Sequence, residues 1–224
     1  MLRIAEADGI GTIVATPHAH HVRTGARVVE GVQRLQALAD AEGIAVTLRT
    51  GHECRVASNL GKLLRQGEAL AINGTDWVLV ECYLSDDWPV DLIVRAFERT
   101  LAAGFRPILA HAERFGFVQR DWHSLLPIID LGIPVQINAG SLFLPPNTAD
   151  RRTAERLLAK DLVQFVASDA HNARYRPPQL RAALDRIAEL AGPERAQELQ
   201  ANAARVLAGA DVAAGSRLDL TAAR

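Results

Sequence analysis

Short apolar runs alternate with amphipathic segments along most of the chain, and glycines mark the joins. Four times a helical pattern closes on a glycine and an apolar run follows: Ala7-Asp-Gly9-Ile, Ala41-Glu-Gly43-Ile, Ala103-Gly104-Phe and Asp130-Leu-Gly132-Ile. Glycine suits the left-handed residue that ends a helix, and the β-branched or aromatic residues after it suit a buried strand. This reading predicts strands at 12–15, 46–50, 77–81, 107–110, 134–137 and 163–167, all short and parallel. Between them apolar residues recur at helical spacing, as in Val28, Val32, Leu35 and Ala39, or Leu92, Ile93, Ala96, Phe97 and Leu101. Two more helices are expected at 178–190 and 193–207, followed by a small polar tail. Strands alternating with helices imply a parallel sheet covered by helices. Residues 2–7 read as the last two turns of a helix without its preceding strand, so a further strand is expected upstream of Met1.

Composition narrows the class. The 224 residues are 49% hydrophobic and 23% charged, which fits a globular protein and argues against disorder. The 25 Lys+Arg residues are balanced by 26 Asp+Glu, so there is no basic excess of the kind a nucleic-acid partner draws. No apolar run approaches the roughly 20 residues needed to span a bilayer, and the first residues lack a secretory signal's apolar stretch. Cys54 and Cys82 cannot form a disulfide framework. A cytoplasmic protein without membrane insertion is expected. No biased tract or linker divides the chain, so one domain over residues 1–224 is expected, incomplete at its N-terminus.

Parallel α/β folds carry their reactive groups at the carboxyl ends of strands. After the first predicted strand comes Thr16-Pro17-His18-Ala-His20-His21, and after the second Gly51-His52-Glu53-Cys54-Arg55. The third ends in Glu81-Cys82, and the fourth leads to His111-Ala-Glu113-Arg114. The fifth leads to Asn138-Ala-Gly-Ser141, the sixth to Ser168-Asp169-Ala-His171-Asn172. Six of the seven histidines thus fall at four strand ends, and imidazole with carboxylate is the ligand set of Zn, Mn or Fe. His18, Glu53, Glu81, His111, Asp169 and His171 are the candidate metal ligands. His20 and His21 suit a rim or substrate contact, His52 should point away from Glu53, and His123 suits a surface or packing role. Neither cysteine opens a Cys-x5-Arg phosphate loop, because positions 60 and 88 are Leu and Trp; a thiolate-nucleophile phosphatase is excluded. Arg114 and Arg176, planar permanent cations beside the ligand motifs, suit phosphate oxygens.

Thr16-Pro-His18, Gly51-His-Glu53, Glu81, Ala110-His111-Ala-Glu-Arg114-Phe and Ala167-Ser-Asp169-Ala-His171-Asn, with Arg176-Pro-Pro beyond, resemble the polymerase-and-histidinol-phosphatase (PHP) superfamily. Within it they resemble the bacterial capsule-type, manganese-dependent protein tyrosine phosphatases, over residues 1–207. The resemblance implies an α/β fold, a distorted seven-stranded (β/α) barrel related to the TIM barrel, with its first strand missing here. It implies up to three ions, Mn2+ first with Fe or Zn possible. In that scheme Glu53 bridges two metals, His111 holds one of the pair and Asp169 completes the first. His18, Glu81 and His171 hold the third, while Arg114 and Arg176 clamp the phosphoryl group. The activity implied is hydrolysis of phosphotyrosine by metal-bound hydroxide, on the tail of a tyrosine autokinase that controls capsular or exopolysaccharide synthesis.

One departure accompanies the resemblance. The family opens with a His-x-His pair on its first strand, which this sequence lacks. Either translation truly starts upstream or the chain is shortened, and a shortened chain should be poorly active. Two other readings compete: a PHP phosphoesterase acting on a small phosphate ester, and a non-catalytic PHP domain that binds an export partner.

Overall fold

The computed structural model describes residues 1–22, 24–82 and 88–214. Helix α1 (Leu2–Ala7) leads to β1 (Thr12–Ala15), and α2 (Gly25–Ala41) to β2 (Thr47–Thr50) and β3 (Glu53–Arg55). Then come α3 (Leu60–Arg65), β4 (Trp77–Glu81), α4 (Val90–Ala102), β5 (Arg106–Leu109), α5 (Gly116–Arg120), α6 (Leu126–Ile129) and β6 (Gln136–Asn138). Helix α7 (Ala149–Ala159), β7 (Phe165–Ala167), α8 (Arg181–Ala191) and α9 (Pro193–Leu207) follow. Of the expected polar tail, residues 215–224 lie outside the described residues.

All pairing is parallel: β1 with β2, β3 with β4, β4 with β5, and β6 with β7. Isolated bridges from His18 to Glu53 and from Leu109 to Val135 link these groups into an open arc that follows chain order. Among the described residues β7 does not pair with β1, and no closed barrel forms. The fold is mixed α/β.

The strand expected at 46–50 is β2, and a further short strand that was not expected, β3, follows it across Gly51-His52. Gly51 N–H donates to Ala15 O at 3.1 Å and Glu53 N–H to Pro17 O at 3.2 Å. The segment therefore keeps to β1 while β3 swings over to β4. A Cβ at Gly51 would stand 3.2 Å from both Thr16 Cγ2 and Val14 Cγ1, so this approach calls for glycine. The crossing delivers Glu53 to the same strand ends as His18.

Strands β4 and β5 carry apolar residues on both faces, as expected of parallel strands covered by helices: Val78, Val80 and Leu109 join the largest core cluster, and Trp77 and Ile108 join a second. Helix α4 buries Ile93, Ala96, Phe97 and Thr100, one stripe at helical spacing. Helix α2 departs from its expected stripe: Leu35 is 44% exposed. Gln36 turns inward instead, because its amide donates to Val46 O at 3.2 Å and accepts from Leu48 N–H at 2.7 Å, satisfying backbone groups beside β2. No helix among the described residues is long and apolar enough to cross a membrane.

Candidate metal centre

Every sequence-predicted ligand lies at or just beyond the carboxyl end of a strand; Glu53 follows β2 and opens β3. Glu53 and Glu81 are buried, 7% exposed each, on neighbouring strands β3 and β4. His18 Nδ1 stands 3.1 Å from Glu53 Oε2 and 3.1 Å from Glu81 Oε1. On the other side His111 Nε2 lies 3.1 Å from Glu53 Oε1 and 3.7 Å from Glu81 Oε2. Two carboxylates thus sit between two imidazoles.

Charge explains the titration of this group. Burial alone would raise the Glu53 carboxyl, but the His111 hydrogen bond and the charges of His111, His18 and His171 bring it below its ordinary value. Glu81 is pushed up by burial and then by Glu53. Burial would lower His111, yet the hydrogen bond and charge of Glu53 raise it.

The cluster has the donors for divalent cations. Glu53, Glu81 and His111 offer ligand atoms within 4.8 Å of one another, and so do His18, His20 and Glu81. His18 Nδ1, although near two carboxylates, is aligned with neither and is buried without a hydrogen-bond partner; His20 Nδ1 is orphaned likewise. Buried lone pairs that converge without partners fit a cation better than a finished hydrogen-bond network. His20 belongs to this grouping, where the sequence suggested a rim role. The His18 and His20 ring centroids are 5.1 Å apart, a proximity that shows only once β1 ends and the chain turns.

The β7 side is built differently. Asp169 leaves its strand in left-handed backbone, φ 47°, as His111 leaves β5 at φ 34°. Such geometry is uncommon for residues other than glycine and gathers at functional sites. The Asp169 carboxylate is held by Arg176, by Asn138 Nδ2 at 2.8 Å and by Arg114 at 3.8 Å. His171, which the resemblance grouped with His18 and Glu81, is half exposed and falls outside the two 4.8 Å donor groups, while its charge still reaches Glu53. Its Nδ1 lies 2.9 Å from the Asp169 carbonyl. A carbonyl can only accept, so Nδ1 carries the proton and Nε2 keeps its lone pair for a ligand.

Glu113 is a residue whose role the sequence concealed. It is fully buried two positions after His111, and Oε1 accepts from Ser141 Oγ at 2.6 Å and from Asn138 N–H at 3.1 Å. Burial raises its carboxyl against the pull of those bonds. Glu113 therefore ties the turn bearing His111 and Arg114 to the end of β6, and Asn138 carries the tie on to Asp169. Its partners lie 25 and 28 positions away, so no local spacing announces them.

The remaining candidates take structural places. His52 is buried and accepts Leu70 N–H at Nδ1, 2.9 Å, away from the carboxylate cluster. His123 is exposed and stacks on Trp122 at 3.9 Å. Cys54 and Cys82 are buried behind the site, where burial first and the neighbouring carboxylates second push both thiols up to about 12. Neither supplies a thiolate at neutral pH.

Arg114 and Arg176 line a cavity of about 560 Å3 together with Asn138, Ser141, Ser168 and the apolar side chains Phe143, Leu144 and Tyr175.

Known proteins are similar to this chain. Tyrosine-protein phosphatase YwqE of Bacillus subtilis (strain 168) is 29% identical over 214 residues, 92% of this chain and 82% of its own length. Tyrosine-protein phosphatase CpsB of Streptococcus agalactiae is 31% identical over 154 residues, 66% of this chain and 63% of its own length. A chain from the crystal structures of YwqE from Bacillus subtilis and CpsB from Streptococcus pneumoniae, described as metal-dependent tyrosine phosphatases, matches with a TM-score of 0.89. It is 29% identical and covers 96% of this chain and 87% of that one. The family model for capsular polysaccharide synthesis, CpsB/CapC, matches residues 1–208, and the chain belongs to that family.

Proposed function

We propose that this chain is a metal-dependent protein-tyrosine phosphatase of capsular or exopolysaccharide synthesis. The observation that carries it is the convergence of His18 with the buried Glu53, Glu81 and His111 at neighbouring strand ends, with Arg114 beyond His111. Relatives named tyrosine-protein phosphatases support the same reading.

The contacts support a set of site roles. Glu53, Glu81 and His111 would hold one ion, His18 and Glu81 a second with His20 beside them, and Asp169 and His171 would add ligands from β7. When bound, such ions lower the pKa of water and polarise phosphoryl oxygens. Manganese is the ion proposed, with iron or zinc as alternatives and up to three ions per chain. Arg114 and Arg176 bind and orient the phosphoryl oxygens. Each guanidinium has five N–H donors, so contact with Asp169 leaves donors facing the cavity. Asn138 fixes Asp169, and Glu113 fixes Asn138, so the clamp is positioned before substrate arrives.

The partner proposed is the phosphorylated tail of a tyrosine kinase, met in the cytoplasm. The architecture proposed is a single domain, a seven-stranded barrel in which β2 and β3 count as one strand and a further strand would close the arc between β7 and β1. The test is turnover of a phosphotyrosine peptide and of p-nitrophenyl phosphate with added Mn2+, Fe2+ or Zn2+, beside metal analysis of the same samples. Turnover that a chelator abolishes is expected. Bound metal without turnover of either substrate would leave the non-catalytic reading standing, and turnover of small alkyl esters alone would move the substrate to a metabolite.

A further inference from the structure

Among the described residues, two aromatic side chains of the Phe, Tyr and Trp kinds are exposed: Phe143 at 55% and Tyr175 at 77%. Both line the cavity that holds Arg114 and Arg176, and Leu144, 37% exposed, lines it too. The other described aromatics are buried or half-buried. Exposed apolar side chains gathered beside a charged site mark a binding surface, whereas the same side chains scattered singly would mark nothing. The cavity therefore has two chemistries: guanidinium donors with Asn138 and Ser168, and an apolar wall of Phe143, Leu144 and Tyr175.

We infer that this wall is a subsite for the aromatic ring of the phosphoester, which makes the site select aryl over alkyl phosphates; the inference rests on the phosphatase reading above. A ligand with an anionic head and a flat apolar body matches both parts at once, and a phosphorylated serine or sugar matches only the first. Two carboxylates also line the cavity, and each has partners of its own. Asp8 accepts the N–H groups of Leu180 and Arg181 at the start of α8, and Asp150 accepts from Gln119. The wall is set in place by backbone bonds. Asn172 Oδ1 accepts from Tyr175 N–H at 2.6 Å, and the Leu144 carbonyl accepts from Arg151 at 2.9 Å. The Leu144 side chain and the Tyr175 ring, over which Arg174 lies at 5.3 Å from the centroid, line the cavity.

The experiment measures binding of phenylphosphonate and methylphosphonate to the Mn2+-loaded chain by calorimetry, and turnover of p-nitrophenyl phosphate against glycerol phosphate. Phe143→Ala should weaken phenylphosphonate about 5-fold, the scale of one lost aromatic contact, and Tyr175→Ala about 3-fold. Methylphosphonate binding should stay within about 2-fold in both, the size of a contact too weak to count. Thermal melts should not move, since both side chains are largely in solvent. Equal losses for both phosphonates, or no loss, would overturn the subsite, and so would a wild-type chain that binds the two alike. Ring-selective binding without turnover of any ester would sink the phosphatase reading and leave the subsite intact.

Discussion

The two halves of the site are built on opposite terms. On the β3–β4–β5 side, Glu53, Glu81 and His111 come from adjacent strands and are buried, and they contact one another directly. On the β7 side, Asp169 and His171 come from one strand end, His171 is half exposed, and Asp169 is neutralised by arginines. The first half has its imidazoles and carboxylates packed together, with lone pairs left over; the second half has its anion already paired with cations. A buried ion pair broken on one side leaves an uncompensated charge, whereas a half-exposed one lets water take over. The β3–β5 half should therefore govern metal retention, and the β7 half should govern how the anion is held.

Glu53→Gln breaks that comparison most directly, because Glu53 touches both His18 and His111. Losing a partner outside the ligand set typically costs 10–100-fold, so loss of a ligand itself should cost more than about 100-fold in kcat/KM, with at least one ion lost on metal analysis. Asp169→Asn should keep more metal than Glu53→Gln. The reverse ranking would mean that the β7 side is the stronger half.

Arg176→Ala probes the other half. A charge-assisted hydrogen bond is worth about 1.5–3 kcal/mol, so kcat/KM should fall at least ~10-fold with metal content unchanged. Unchanged activity would make Arg176 a counterion of Asp169 and nothing more.

Glu113 joins the two halves, and its replacement should be felt in both. Glu113→Ala leaves Ser141 Oγ and Asn138 N–H without their acceptor, at about 1–3 kcal/mol, read as a thermal midpoint lower by several degrees. Glu113→Gln keeps an acceptor oxygen and should cost less. If both variants melt like the parent, the tie between β5 and β6 is redundant.

The strands were the legible part. The glycine joints and apolar runs placed Thr12–Ala15 and Trp77–Glu81 as the structure has them, and α9 as well. The predicted strand at 134–137 starts late, at Gln136, because Val135 is taken up by an isolated bridge to Leu109 and by Gln164 and Phe165, which both donate to its carbonyl. The ligand residues were legible because strand ends are local in sequence. Their grouping was not: whether His18 meets His20 or His171 depends on how the chain turns after β1 and β7. Glu113 was hidden for a related reason, since a buried carboxylate is recognisable only by partners that the fold brings from β6. Leu35 and Gln36 traded places because a strand edge, invisible to helical periodicity, needed an amide.

The smallest effect is one of pH on the metal-free chain, and it sharpens the contrast by isolating His111. Its folded pKa is raised above 6.5, so its contribution to stability is fully present below 6.5 and is lost as pH rises through the folded value. Glu53 behaves oppositely: its depressed pKa contributes above 4.5, and that contribution is lost only as pH falls through the folded value. Glu81 and Glu113, both raised, hold protons in the folded chain that the unfolded chain releases above 4.5, and they too make stability fall with rising pH. Burial lowers His52 and His20, which act against this trend below 6.5. The window is therefore about pH 6.5–7.5, above the ordinary imidazole value and below the range where the two raised thiols act with the same sign; there the thermal midpoint of the chelator-treated chain should decline, and His111→Gln should make the decline shallower. Mn2+ should reverse the slope, because ligands must shed their protons to bind it and affinity rises with pH. A midpoint that is flat or rising in the metal-free parent would mean that His111 and Glu53 do not form the ion pair on which the rigid half is built.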